Sequence, residues 1–206
     1  MRRIAESTVR RLSLYLGFLE EFETEGTDTV SSEALALRGG TTSAQVRKDL
    51  SHFGSFGKRG LGYGVPQLAG RLRSILGLDR RYRMVVIGAG KLSGALVKHR
   101  GFRERGFDVV AIFDNDPAKI GRALDGLNVL DVRQLEDLLA ETPADIGVIV
   151  TPADPAQGLA DRLVASRVKA ILNFAPAQLS VPDDVALRNV NLSLELEALA
   201  FTLADY

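Results

Sequence analysis

Two clusters of residues in this chain could do chemistry, and they differ in kind. The first is Gly88-Ala89-Gly90, with Ser93 three residues on and Asp114 further along. Glycine at the first position permits a tight turn after a strand. Glycine at the second lets the backbone approach a pyrophosphate lying on a helix N-terminus. The third small position falls at Ser93, so the strict G-x-G-x-x-G spacing is not met, although serine still allows close helix–strand packing. Asp114 stands where an acid would bind the ribose hydroxyls of an adenine dinucleotide. A carboxylate there repels a 2′-phosphate, so the expected cofactor is NAD(H) rather than its phosphorylated form.

The second cluster is basic. Arg38, Arg47, Lys48, Lys58, Arg59, Arg71 and Arg73 face the single acid Asp49 within residues 38–73, seven charges minus one, or +6. The whole chain of 206 residues is neutral, with 26 basic and 26 acidic residues, so this block is a local excess. Such a block is either a solvated face or a surface for double-stranded nucleic acid. Gln45, Arg47, Lys48, Ser51 and His52 are the residue types that read base edges from a helix in the major groove. Lys58-Arg59-Gly60 lies in a glycine-rich stretch, where an arginine can approach a narrow minor groove closely.

These residues need elements to hold them. Val9, Leu12, Leu16, Leu19 and Phe22 recur at helical spacing and predict a helix over 7–25, ended by Gly26. A short helix starts at Ser31 or Ser32, runs through Leu37 and turns at Arg38-Gly39-Gly40. Thr42 and Gln45 read as a capping box: the Thr42 hydroxyl accepts the Gln45 amide proton, and the Gln45 side chain reaches back. That third helix runs to about Phe53 and buries Val46, Leu50 and Phe53. Residues 54–64 contain five glycines and predict a tight, twisted hairpin. A helix over 67–76 and a linker over 77–81 follow.

Beyond the linker, strands alternate with helices. Strands are expected at 84–87, 107–113, 129–130, 146–150 and 170–174. Helices are expected at 92–100, 132–140 and 155–166, with an apolar helix at 194–203. This alternation predicts a parallel sheet covered by helices. The fold class is α/β: an N-terminal winged helix-turn-helix over 1–78, then a Rossmann-like doubly wound sheet over 79–206.

Composition removes other classes. There is no cysteine, so disulfides, thiolate catalysis and Cys-built zinc sites are excluded, and two histidines make no metal cluster. No apolar run is long enough to span a membrane. The start, Met1 to Glu6, has no apolar segment after its arginines, so no secretion signal is expected and the cytoplasm is the default compartment.

The residues resemble those of the Rex family of redox-sensing transcriptional repressors over nearly the whole chain. Gln45-Val46-Arg47-Lys48-Asp49-Leu50-Ser51, running into Phe53-Gly54-Ser55-Phe56-Gly57-Lys58-Arg59-Gly60, resembles the family's recognition helix and wing. Gly88-Ala89-Gly90-Lys91-Leu92 and Phe113-Asp114-Asn115-Asp116-Pro117 resemble its nucleotide site. Ile171-Leu172-Asn173-Phe174-Ala175-Pro176 resembles a loop near the nicotinamide, and Thr151 and Pro152 are carried as further cofactor contacts. The resemblance implies a homodimer with C-terminal helices swapped between subunits. It also implies binding to a palindromic operator under NAD+ and release under NADH. The chain departs from the family at its switch: His99 stands in place of a tyrosine, Asn191 in place of an aspartate, and Gly17 in place of an arginine. The expectation is therefore a redox-responsive repressor, or a regulator of the same build with a lost or altered response. His99 paired with Asn191 would be one such alteration.

Two rivals come from other classes. A dehydrogenase needs a general acid or base beside the nicotinamide. His52 lies in the DNA-reading part, and His99 falls on the first Rossmann helix with no evident substrate pocket, so no catalytic residue is assigned. The other rival is a DNA-binding dimer whose Rossmann domain is only structural or binds another ligand.

Overall fold

A computed structural model describes residues 4–57 and 61–204. The chain divides into two compact units, residues 1–80 and 81–206, with the boundary at 80/81 rather than 78/79.

In the first unit, helix α1 (Glu6–Thr24) packs Leu12, Tyr15, Leu16 and Leu19 into the core. Strand β1 (Thr29–Val30) leads into α2 (Ser32–Arg38) and α3 (Ser43–Ser51). Both short helices start on a hydroxyl: the Ser31 side chain accepts from the Ala34 N–H and the Thr42 side chain from the Gln45 N–H. These caps satisfy amides that a helix start leaves orphaned. Strand β2 (Tyr63–Gly64) opens directly into α4 (Val65–Ile75), which has proline in its first turn. One apolar cluster joins α1, α3 and α4 through Leu16, Val46, Leu50, Leu68 and Leu72.

The tip of the expected hairpin, residues 58–60, lies outside the described residues, and the returning strand pairs outside the glycine-rich segment. Tyr63 and Gly64 pair antiparallel with Val30 and Thr29, so β1 anchors the returning strand. Gly57 and Gly62 have φ of +75° and +81°. A Cβ on Gly57 would strike the Gly62 carbonyl, and one on Gly62 would strike the Val30 carbonyl. The neck of the segment therefore requires glycine at both positions.

The second unit is a sheet of β3 (Tyr82–Ile87), β4 (Phe107–Asp114), β5 (Ala123–Leu124), β6 (Leu127–Asp131), β7 (Ile146–Ile149), β8 (Ala170–Asn173) and β9 (Ala186–Asn189). Spatial order is β5-β6-β4-β3-β7-β8-β9, and every pairing except β5 with β6 is parallel. From β3 the chain winds outward through β4 to β6, then returns and winds the other way through β7 to β9. The order reverses between β3 and β7, and ligands of such sheets bind outside the strand ends at that point.

Alternation along β3 separates two layers. Val85 and Ile87 face a large core built with α7 (Leu135–Glu141) and α8 (Ala153–Ala165). Met84 and Val86 face a smaller cluster with α5 (Lys91–Lys98) and α6 (Arg100–Glu104). An apolar cavity of about 290 Å³ lies on this second face, lined by Met84, Val86, Phe102, Val148 and Leu172 among others.

Two expectations change here, and a third finding concerns the terminal helix. The helix expected over 92–100 breaks at His99, whose backbone is extended (φ −72°, ψ 101°), so His99 is a junction between α5 and α6. Strands β1, β5 and β9 were not expected. The terminal helix α9 (Leu192–Ala204) leaves Leu192, Leu194, Leu196, Leu199, Phe201 and Leu203 exposed.

Candidate functional site

The candidate DNA-reading surface is built on α3. Val46 and Leu50 fix its inner face, and Arg47, Lys48 and Ser51 are exposed, with His52 capping its C-terminus. Not all of the basic block is free for a partner. Arg38 bonds Glu21 and Glu25 and lies over the Phe22 ring, while Arg73 bonds Glu20. The acidic run of α1 thus answers these two cations. Arg47 donates to the Ser32 hydroxyl at 2.9 Å and lies 3.6 Å from Glu33. Within this block and among the described residues, Lys48 and Arg71 make no ion pair. Lys58, Arg59 and Gly60, the expected wing contacts, lie outside the described residues.

Asp49, the lone acid of the basic block, is buried at 1 % exposure. Arg11 donates to it twice, at 2.6 and 2.8 Å; Tyr15 donates its hydroxyl at 3.0 Å and Gln45 its amide at 2.8 Å. Burial pushes the Asp49 carboxyl up, but these donors outweigh it and hold the group below the usual carboxylate range. Burial, followed by the bond to Asp49, pushes the Tyr15 phenol up to about 12. The capping box is consequently half made. Thr42 accepts the Gln45 amide proton, but the Gln45 side chain runs forward to Asp49 instead of reaching back, because a buried carboxylate is the stronger acceptor. The missed residues are Arg11, Tyr15 and Asp49; one acid alone among seven cations was the available signal.

The dinucleotide crevice lies at the reversal point of the sheet. A cavity of about 850 Å³ is lined there by Gly88, Gly90, Asp114, Asn115, Thr151 and Pro152 from the expected set. It is also lined by Lys119, Val132, Pro155, Leu159 and Arg162, which sequence reasoning missed because the segments after β4 and β6 and helix α8 meet the glycine loop only through the fold. Gly88 has φ +104°, and a Cβ there would strike the Val150 carbonyl. Gly90, the residue preceding α5, has nothing within 4 Å of its missing Cβ. That open space at a helix start fits the pyrophosphate of a dinucleotide.

Asp114 is only 6 % exposed. It accepts from the Ala89 N–H at 2.7 Å, the Asp116 N–H at 2.9 Å and the Lys119 ammonium at 3.0 Å. Burial raises its pKa, yet these three donors prevail and lower it, so the group is ionised at neutral pH. Asp114 therefore holds the glycine loop and also lines the cavity. Ser93 is fully buried on α5, and its hydroxyl has no hydrogen-bond partner among the described residues.

Other expected contacts have different surroundings. Lys91 and Leu92 are exposed on α5 and do not line the cavity. Asn173 is buried, its amide donating to the Ala175 and Ala177 carbonyls and to Asn189, and its oxygen accepting from the Ala175 N–H. It shapes the loop that carries Phe174, Ala175 and Pro176. His99 stacks edge-on against Phe102 at 4.9 Å, beside a cavity of about 480 Å³ bearing Lys98, Arg100 and Arg103. Asn191 accepts from the Ser193 N–H at the start of α9. No hydrogen bond joins His99 to Asn191 among the described residues of one chain. Gly17 lies mid-helix on α1.

A recognition helix and a nucleotide crevice in one chain define a ligand-responsive DNA-binding regulator. Residues 3–51 match a family model described as a putative DNA-binding protein N-terminus, and residues 79–177 match a CoA binding domain model. The redox-sensing transcriptional repressor Rex of Carboxydothermus hydrogenoformans is 50% identical over 201 residues, covering 98% of this chain and 97% of that protein. Its namesake in Syntrophomonas wolfei is 51% identical over 202 residues, covering 98% and 96%. Among solved structures, RSP in complex with β-NAD+ and operator DNA matches with a TM-score of 0.95 at 40% identity, over 100% of this chain and 94% of that one. RSP in complex with β-NADH matches with a TM-score of 0.90 at 39% identity, over 100% and 96%. The chain belongs to the Rex family of redox-sensing transcriptional repressors.

Proposed function

We propose that this chain is a transcriptional repressor that senses the NADH/NAD+ ratio, binding a palindromic operator under NAD+ and releasing it under NADH. The observation that carries the reading is the crevice at the sheet reversal, where ionised Asp114 holds a glycine loop with open space at Gly90. A carboxylate fits free ribose hydroxyls and repels a phosphate on them, which favours NAD(H) over a 3′-phosphorylated CoA or a 2′-phosphorylated dinucleotide. Bound NAD(H) supplies a redox-dependent charge at its nicotinamide end, and no group of this chain is assigned to hydride transfer.

The chain acts as a homodimer through exchanged α9 helices. The six large apolar side chains that α9 exposes support this, since burying each is worth about 1.5–3 kcal/mol. Switching requires that the two cofactor forms differ in affinity for the operator-competent dimer, and the operator then biases cofactor choice equally. The protein works in the cytoplasm, with duplex DNA and the nicotinamide pool.

A second reading rests on Gly17, His99 and Asn191. They stand where the family resemblance places its charge-sensitive switch, so the same architecture could transmit a different response. Calorimetric titration of NADH and NAD+ into native protein and Asp114→Ala, alongside duplex binding by unliganded protein, tests the main reading. Asp114→Ala is expected to weaken both nucleotides and leave unliganded duplex binding intact. Unchanged nucleotide affinity would refute the assigned site.

A further inference from the structure

The buried Asp49 has a consequence for what α3 can read, given the proposal that α3 reads DNA. An ionised carboxylate only accepts hydrogen bonds. The Gln45 group 2.8 Å from Asp49 Oδ1 must therefore be the amide nitrogen Nε2 and not the carbonyl oxygen. A side-chain amide is planar, so directing Nε2 at Asp49 turns Oε1 away from it. No described residue donates to that oxygen. Asp49 is itself held by Arg11 and Tyr15 from α1. Gln45 sits in the first turn of α3, the part of a recognition helix that meets base edges.

We propose that Asp49 is a positioning residue that sets the polarity of Gln45, so that α3 presents an acceptor, Oε1, to one base pair of each half-site. A free glutamine can turn either edge outward and so meet acceptors or donors. Here one of the two Nε2 protons is committed to Asp49, so Oε1 leads and a single N–H remains beside it. The base that best matches a leading Oε1 carries an exocyclic amine in the major groove: adenine through N6, with the remaining N–H on N7, or cytosine through N4. Guanine and thymine offer only acceptors there, and meeting Oε1 they leave two oxygens opposed.

The test uses the full chain and a duplex that it selects from a randomised pool. Gln45→Ala locates the position, as the one base pair per half-site whose discrimination is flattened. In the native protein that position is expected to favour adenine or cytosine over guanine and thymine, by about tenfold for one good contact. Replacing adenine there by 2′-deoxynebularine, which lacks the N6 amine, should weaken native binding and leave Gln45→Ala unaffected. Asp49→Asn supplies an amide that can donate as well as accept, so the penalty against guanine and thymine should shrink while non-specific duplex binding holds. A preference for guanine or thymine, or an equal amine effect in native protein and Gln45→Ala, overturns the proposal even if Asp49→Asn does not fold. Failure to select any duplex overturns the DNA reading of α3, and this inference with it.

Discussion

Replacing Asp49 by alanine should destabilise the first unit by about 2–5 kcal/mol. The figure follows from what the carboxylate holds. Tyr15 is buried, and without Asp49 its hydroxyl has no acceptor, which costs about 1–3 kcal/mol. Arg11 loses two charge-assisted bonds, but its side chain is 28 % exposed and can turn to water, so the usual 3–5 kcal/mol for orphaning a buried charge is discounted to about 1–2 kcal/mol. A domain of this size has roughly 4–12 kcal/mol to lose, so the substitution consumes a large share. Urea unfolding followed by circular dichroism reads the loss, with hydrogen exchange of α1 and α3 assigning the transition to this unit. Tyr15→Phe alone should cost about 0.5–1.5 kcal/mol. In the Asp49→Ala background the same change should be neutral or stabilising, because the phenol no longer has a partner to lose. Equal costs of Tyr15→Phe in the two backgrounds would refute the network. The pH dependence has a definite sign. Asp49 has a depressed folded pKa, so its contribution is present above the unfolded value near 4 and is lost as pH falls below that. Asp49→Asn should flatten that part of the acid limb.

The glycine loop separates two substitutions that look alike on paper. Gly88→Ala meets the Val150 carbonyl at a positive φ and should lower both stability and nucleotide affinity, whereas Gly90→Ala enters open space and should lower nucleotide affinity at unchanged melting temperature, read by thermal unfolding and calorimetry. Deleting residues 192–206 should yield a monomer by light scattering, since the exposed apolar side chains of α9 would be gone. Lys48→Ala should weaken duplex binding evenly across sequences and reduce the salt slope by about 1, as expected for one phosphate contact.

What the sequence revealed was local chemistry. Gly88, Gly90 and Asp114 carry their meaning in residue type and spacing, and the fold brought all three to one cavity. Thr42 announced its cap in the same way. What stayed hidden depends on distant partners. Nothing near Asp49 says that Arg11 and Tyr15 lie beneath it, so the fate of the Gln45 amide was misread. Likewise the lining by Lys119, Leu159 and Arg162 exists only once α8 crosses the sheet. The β5–β6 hairpin is a different case. Asp125-Gly126 is a strong two-residue turn signal, and both residues have positive φ, 50° and 82°, so that element was readable and overlooked. The break at His99 had a weaker cue in Gly101, whose Cβ would lie 2.9 Å from the His99 ring.

The central claim is a coupling between the crevice and α3, and one titration addresses it. Operator duplex affinity is measured on the full chain at fixed total nicotinamide nucleotide while the NADH/NAD+ ratio is varied. The account predicts that affinity falls as NADH replaces NAD+, by the ratio of the two forms' affinities for the operator-competent state. Affinity that stays constant across the whole ratio, with both nucleotides shown to bind, would contradict it.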